Sequence, residues 1–475
     1  MSRKKIFIEN IFAYGFINIL SKIAPFLLLP VITRMLTDAS DFGVYSMFTT
    51  IVGFGTPLAI LGLNDAMFRE YFEKDDLQYK YNVTTTTQRI IMMSSLLIAS
   101  LLVLFNSSFS TLFFGNSSYG NIVVLAGIGV LLGAIMSPIQ APTRMQNQRR
   151  VFVVSGLISS IVTYILALAL IYYGFSYFGL IYSSIITTFI LLIFFWSRNK
   201  TFFIKGSFDW SIAKELFKIG LPLLPTFLIY WIYNSMDKIM ITNMLGTFDL
   251  GIYSIGSKMA QISQLIYAGF AGGWQYFAFS TMNDNDQVEL NSRIFEYLGA
   301  ITVLSFITIY PFIQIFFSFL FRGDYVSGHI VAPYLYLSPL LLMLFQVAAN
   351  QFLVVKRSYF STVVLSIGAV INIALNLLLI KAIGIEGAAM ATLVGYFTTV
   401  IVVMTVSKKM DLMSYSKRIV FTLALIPIYL LLQRVIFGES LKIQISIMFL
   451  GVLIMLYLYR FELKAITKKL ATIGK

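Results

Sequence analysis

The sequence predicts an all-α polytopic membrane protein. Three observations carry this. Hydrophobic residues make up 58% of the 475-residue chain and charged residues only 12%, about half the usual charged share of a soluble protein. Many apolar runs reach the roughly 20 residues a helix needs to cross the hydrocarbon layer. The segments between those runs are short, so no soluble domain is expected on either side of the membrane. Cysteine is absent, which excludes disulfides, thiolate nucleophiles and cysteine metal sites. The one histidine, His329, sits in a short loop and suggests neither catalysis nor metal binding. The net charge of +14 is scattered among hydrophobic segments, which fits the positive-inside bias of membrane proteins rather than a nucleic-acid partner.

About fourteen transmembrane helices are expected, over 7–34, 43–66, 83–106, 121–142, 151–173, 176–197, 216–241, 251–276, 295–320, 329–352, 359–381, 386–407, 418–436 and 443–460. The start "MSRKKIFIEN" is basic, but the apolar run behind it lacks an Ala-x-Ala-like cleavage site, so it reads as the first span. The connections alternate in charge. "REYFEKDDLQYKY", "RMQNQRR", "RNKTFFIKGSFDWSIAKE", "VKR" and "SKKMDLMSYSKR" are basic. "TDASD", "NSSFSTLFFGNSSYG", "GFS", "LGTFD", "FRGDYVSG" and "KAIGIEG" are poor in bases. Most of the 35 Lys and Arg fall in the first set and the two termini. That set is therefore expected in the cytoplasm with both termini.

A shift of 208 residues brings the sequence partly onto itself. "DFGVYS" from Asp41 falls on "DLGIYS" from Asp249, so that Gly43, Tyr45 and Ser46 match Gly251, Tyr253 and Ser254. The same shift sets Arg149 on Arg357 and Gly179 on Gly387. Each repeat holds an even number of helices, so the two copies enter from the same side. The expected organisation is an N-terminal six-helix bundle over 1–207, a second over 208–410, and an extra two-helix segment with a cytoplasmic tail over 411–475. Two such bundles can enclose a cavity that opens to alternate sides, the architecture of a transporter rather than an enzyme.

Charges inside the apolar segments are the candidate functional residues. Each would cost about 2.5–3.5 kcal/mol or more facing lipid at the membrane centre. Lys22 lies in the first helix, Asp237 and Lys238 in "NSMDKIMI", and Lys258 in "GSKMAQ". Lys22 and Lys258 come from opposite repeats and are expected to attract an anionic substrate as point charges. Asp237 and Lys238 are consecutive and point about 100° apart on a helix. The plainer alternative has Asp237 pairing with Lys258 across the hairpin. Arg69 follows Asp65 by four residues, as a second candidate contact or a structural pair. Arg144, Arg149 and Arg150 read as orientation determinants, with a phosphate head group as their alternative use. Pro25, Pro30, Pro222 and Pro225 interrupt the first helix of each repeat and mark hinges or static kinks.

The stretches "YGFINILSKIAPFLLLPVITRMLTDASDFGVYS" (14–46), "GLNDAMFREY" (62–71) and "IGLPLLPTFLIYWIYNSMDKIMITNMLGTFDLGIYSIGSKM" (219–259) resemble the Wzx-type bacterial polysaccharide flippases. These belong to the multidrug/oligosaccharidyl-lipid/polysaccharide superfamily. The resemblance covers essentially the whole chain, including "GIEGAAMATLVGY" (384–396). It implies transfer of an undecaprenyl-pyrophosphate-linked oligosaccharide from the inner to the outer leaflet of the plasma membrane for O-antigen or capsule synthesis. It implies no cofactor, and leaves a coupling ion, proton or sodium, open. A glycan polymerase and chain-length machinery are the protein partners it suggests. A multidrug antiporter of the same superfamily is the nearest alternative, but Asp237, the one clear acid deep in a span, stands beside Lys238. A polyprenyl-sugar glycosyltransferase or polymerase would need catalytic groups in sizeable outer loops, but the first outer loop offers only Asp38 and Asp41 in "TDASD" and the longest, "NSSFSTLFFGNSSYG", has no charge.

Overall fold

The computed structural model describes residues 27–280, 286–436, 440–462 and 464, so the expected sites Lys22 and Pro25 lie outside the described residues. Every regular element among the described residues is helical. Ten helical segments among the described residues are long and apolar enough to cross a membrane. The expected number of spans was larger for identifiable reasons. Of the span over 7–34, only helix α1, over 27–35, is described. The span over 251–276 divides into α11 (Thr247–Gly256) and α12 (Met259–Ser280). The span over 418–436 is a 15-residue helix, α16 (Lys417–Leu431), followed by a wide turn over Leu432–Ile436. The helix α15 (Tyr359–Lys409) covers two expected spans and breaks at Ile383 and Gly384, the latter at φ 63°, in the "KAIGIEG" connection.

The chain forms two compact units. One takes in the chain through Lys258 with Phe321–Gly328 and Ile371–Ala391; the other holds Met259–Leu320, His329–Val370 and the chain from Thr392.

In the first unit, helix starts are set by short acids. Asp38 caps α2 (Ala39–Ile60) by accepting from the Ser40 amide at 2.8 Å. Asp76 caps α4 (Leu77–Leu104) through the Tyr79 amide at 2.8 Å. Asp209 caps α9 (Trp210–Gly220); the Ser211 hydroxyl, then the Ser211 and Ile212 amides, hold its carboxyl below the usual range. Between α2 and α3 (Leu63–Tyr71) the chain turns at Leu61 and Gly62. Gly62 has φ 71°, and a Cβ there would lie 2.3 Å from the Gly220 carbonyl oxygen. A 3-10 turn over Leu221–Leu223 separates α9 from α10 (Leu224–Leu245); Pro222 lies within the turn and Pro225 at the start of α10. Proline at these first positions forfeits no helical hydrogen bond.

Polar seams tie the apolar helices together, as expected where lipid supplies no competing partner. Thr84 and Thr85 of α4 donate to the Phe202 carbonyl of α8 (Tyr177–Ile204) at 3.0 and 3.1 Å. Buried Asn199 of α8 donates to the Ile139 carbonyl and the Thr143 hydroxyl of α6 (Gly120–Met145) at 2.8 and 2.9 Å.

Helix α2 crosses α11 at close range. A Cβ on Gly43 would fall 1.8 Å from the Thr247 carbonyl oxygen, and one on Gly251 would fall 1.9 Å from that of Ala39. Only glycine lets the backbones come so near. Beside them the Ser254 hydroxyl bonds to that of Ser46 at 2.7 Å. Glycines and serines 208 residues apart in sequence thus face one another.

In the second unit α14 (Ala332–Val354) is the most enclosed of the candidate spans, with 61% of its apolar stretch buried. Tyr429 of α16 donates to the Ile307 carbonyl of α13 (Gln287–Leu320) at 3.0 Å. Arg418 of α16 joins this end of the unit. It pairs with Glu296 of α13 and with Glu462 at 2.6 Å, and its guanidinium lies 4.6 Å from the Tyr459 ring centroid. Glu296 is 9% exposed, so removing its cation leaves a carboxylate with little water. Arg418→Ala is expected to cost about 2–3 kcal/mol, read as a lower thermal midpoint in detergent. An unchanged midpoint would show the network to be dispensable.

Candidate functional site

The charges that apolar segments would otherwise exclude gather in the first unit, around α10 and α11. Asp237, in α10, is 5% exposed. Its Oδ2 accepts from the Tyr253 hydroxyl of α11, and its Oδ1 accepts from the Lys238 amide at 2.8 Å. The carboxylate is thus held from two sides, and a buried carboxylate needs such donors to remain charged. Lys238 is half-buried and follows it on the helix. Its carbonyl accepts from the Thr242 hydroxyl at 2.7 Å.

Lys258 stands where α11 ends. The Ser257 amide closes the last turn onto the Tyr253 carbonyl at 2.8 Å, and the Lys258 amide bonds the Ile255 carbonyl at 3.0 Å. Its side chain is half-buried. Among the described residues no ion pair joins Lys258 to a carboxylate. Asp237 is engaged by Tyr253, not by Lys258, so the hairpin staple does not form. One acid and two bases leave this cluster with a cationic surplus.

The remaining candidates fall elsewhere. Arg69, on α3, pairs at 3.4 Å with Glu70, not with Asp65, and its side chain is largely exposed. Buried Glu70 also accepts from the Tyr79 hydroxyl at 2.8 Å. Asp65 instead lines a cavity of about 480 Å³ with Asn64, Ser137, Gln140, Arg144 and Phe227. Asn64 donates to Ser137 across its wall, and Arg144 stacks on Phe68 at 4.9 Å. Pro30 lies within α1, where the Thr33 hydroxyl takes up its carbonyl at 3.1 Å. No group of three or more His, Cys, Asp or Glu able to hold a metal occurs among the described residues.

A family profile described as polysaccharide biosynthesis protein matches residues 31–321. The chain belongs to this polysaccharide biosynthesis family. The matched stretch takes in Asp237, Lys238, Tyr253 and Lys258. An uncharacterized membrane protein of Methanocaldococcus jannaschii is 27% identical over 199 residues, which are 41% of this chain and 39% of that protein. The chain therefore matches less than half the length of this relative. Among solved structures, the lipid II flippase MurJ in an inward closed conformation superposes with a TM-score of 0.68 at 17% identity, over 95% of this chain and 98% of that one. An inward-facing multidrug resistance MATE family transporter of the MOP superfamily gives 0.58 at 13%, over 86% and 95%. The Vibrio cholerae MATE transporter VcmN, as a mutant, gives 0.62 at 13%, over 85% and 96%. The family member thus has the MurJ/MATE-like fold and is a multi-pass membrane protein whose structural neighbours are flippases and transporters, not enzymes.

Proposed function

We propose that this protein is a flippase that carries an undecaprenyl-pyrophosphate-linked oligosaccharide from the cytoplasmic to the outer leaflet of the plasma membrane by alternating access. The product would feed a surface polysaccharide such as O-antigen or capsule. Membership in the polysaccharide biosynthesis family supports the substrate class. The observation that carries the reading is that half-buried Lys238 on α10 and half-buried Lys258 just past α11 accompany an Asp237 already engaged by Tyr253. A diphosphate is the group that such a cationic surplus would hold.

In this reading two six-helix halves, 1–207 and 208–410, move against one another, and Pro30 in α1 and the turn at Pro222 and Pro225 act as their hinges. Lys22 would complete the cationic site from the first helix, and Arg69 would guide the head group at its cytoplasmic entry. Both termini would lie in the cytoplasm. A polymerase with its chain-length machinery would receive the product. A drug-cation antiporter needs an acid accessible to its cargo, and Asp237 is occupied by a phenol and a backbone amide.

Deleting the gene is expected to stop surface glycan while the lipid-linked repeat unit accumulates on the inner leaflet. Continued export from the deletion strain would end the proposal. Lys22→Ala and Lys258→Ala are expected to abolish surface glycan with normal membrane insertion. Wild-type glycan levels in both variants would remove the cationic-site mechanism.

A further inference from the structure

The helices α7 (Arg149–Leu170) and α8 pack as a hairpin in the first unit, and each leaves apolar side chains uncovered. On α7, Val154, Ile158, Ile161 and Ile165 are exposed; on α8, Ile186, Ile190 and Phe194 are. Steps of three and four residues put each row on one helix face. The segment Arg149–Phe175 is also the least enclosed of the ten candidate spans, with 11% of its window buried. Such a face in a membrane protein meets lipid tails.

Both rows end in arginine at the same end of the hairpin. Arg150 stands four residues before Val154, and Arg198 four residues after Phe194. There a shallow cavity of about 380 Å³ is lined by Asn147, Gln148, Arg149, Arg150, Val151 and Arg198. Amide side chains orient the guanidinium groups: Arg198 Nε donates to Gln148 and Arg149 Nε to Asn147, each at 2.9 Å. Gln148 donates in turn to Gln146 at 2.5 Å. Oriented guanidinium groups match the oxygen geometry of a phosphate.

We propose that this end of the α7–α8 hairpin binds an anionic phospholipid of the surrounding bilayer. Arg149, Arg150 and Arg198 hold the phosphate, and the acyl chains lie along the exposed α7 and α8 rows. The site is separate from the Asp237–Lys258 cluster and does not depend on what that cluster carries.

The test is native mass spectrometry of the full-length protein in detergent, titrated with phosphatidylglycerol, phosphatidylcholine or inorganic phosphate. Phosphatidylglycerol is expected to bind about tenfold or more tightly than phosphatidylcholine, and an Arg149→Gln, Arg150→Gln, Arg198→Gln variant is expected to lose that preference. Should the triple variant not fold, Arg150→Gln alone, altering an exposed side chain, is expected to weaken the preference several-fold, with Arg150→Lys retaining part of it. Equal binding of the two lipids, or an unchanged preference in the variants, would overturn the proposal. Displacement of phosphatidylglycerol by millimolar inorganic phosphate would also overturn it, as the mark of a free-anion site. So would a preference for a polyprenyl diphosphate over phosphatidylglycerol, which would make the patch part of a substrate path.

Discussion

Replacing Gly43 or Gly251 by alanine is expected to destabilise the protein by about 3 kcal/mol each, the upper part of the usual range for overpacking. The added methyl group has nowhere to go. At Gly43 it would meet the Thr247 carbonyl oxygen at 1.8 Å, and at Gly251 that of Ala39 at 1.9 Å. Both obstacles are backbone, so no side chain can rotate away; α2 and α11 must separate. Separation also lengthens the Ser46–Ser254 hydrogen bond, now 2.7 Å. Either alanine therefore forces much of the displacement that the other requires. The double variant should cost clearly less than the sum of the two, since coupled neighbours are not additive. Ser46→Ala, which removes only one intramembrane hydrogen bond, should cost about 0.6 kcal/mol. Thermal unfolding of the purified protein in detergent separates these cases. Midpoints within a degree of wild type for both glycine variants would mean that the helices are not in contact in the membrane.

The apolar runs made the helical architecture legible, because length and hydrophobicity are what a bilayer demands of a segment. The break at Ile383 and Gly384 was legible too, since "KAIGIEG" interrupts an otherwise continuous run. Finer events were not. A hydropathy window does not register a two-residue interruption, so 251–276 reads as one span although the chain changes helix at Ser257 and Lys258. The offset of 208 was visible in the repeated Gly, Tyr and Ser, but an offset says nothing about whether equivalent residues touch. Arg69 shows the limit of helical spacing as a guide. Asp65 is well placed at i−4, yet Glu70 is drawn into the interior by Tyr79 and takes the guanidinium instead. For Asp237 the sequence offered Lys258 as a charged partner and gave no reason to prefer a phenol. Once α10 and α11 are folded back on one another, Tyr253 is the donor that reaches the carboxylate.

That phenol makes the second large effect. Tyr253→Phe removes one donor from a carboxylate that is 5% exposed, and should cost about 1.5–3 kcal/mol, as for other hydrogen bonds to a charged group. Asp237→Asn removes the charge itself and leaves half-buried Lys238 without its neighbouring carboxylate. It should cost as much or more, because an uncompensated buried charge is the expensive outcome. In the double variant the phenol has no carboxylate left to serve, so the Phe substitution should add little, a coupling of about 1–3 kcal/mol. Lys258 should behave in the opposite way. Lys258→Ala withdraws a like charge from Lys238, so it should leave the unfolding midpoint unchanged or raise it, and should partly restore the stability lost in Asp237→Asn. A residue whose removal relaxes the fold is retained for something other than folding. If Lys258→Ala also abolishes glycan export, its charge serves the passenger. If it lowers the midpoint as strongly as Tyr253→Phe does, Lys258 is a structural cation, and the diphosphate reading of this cluster loses its support.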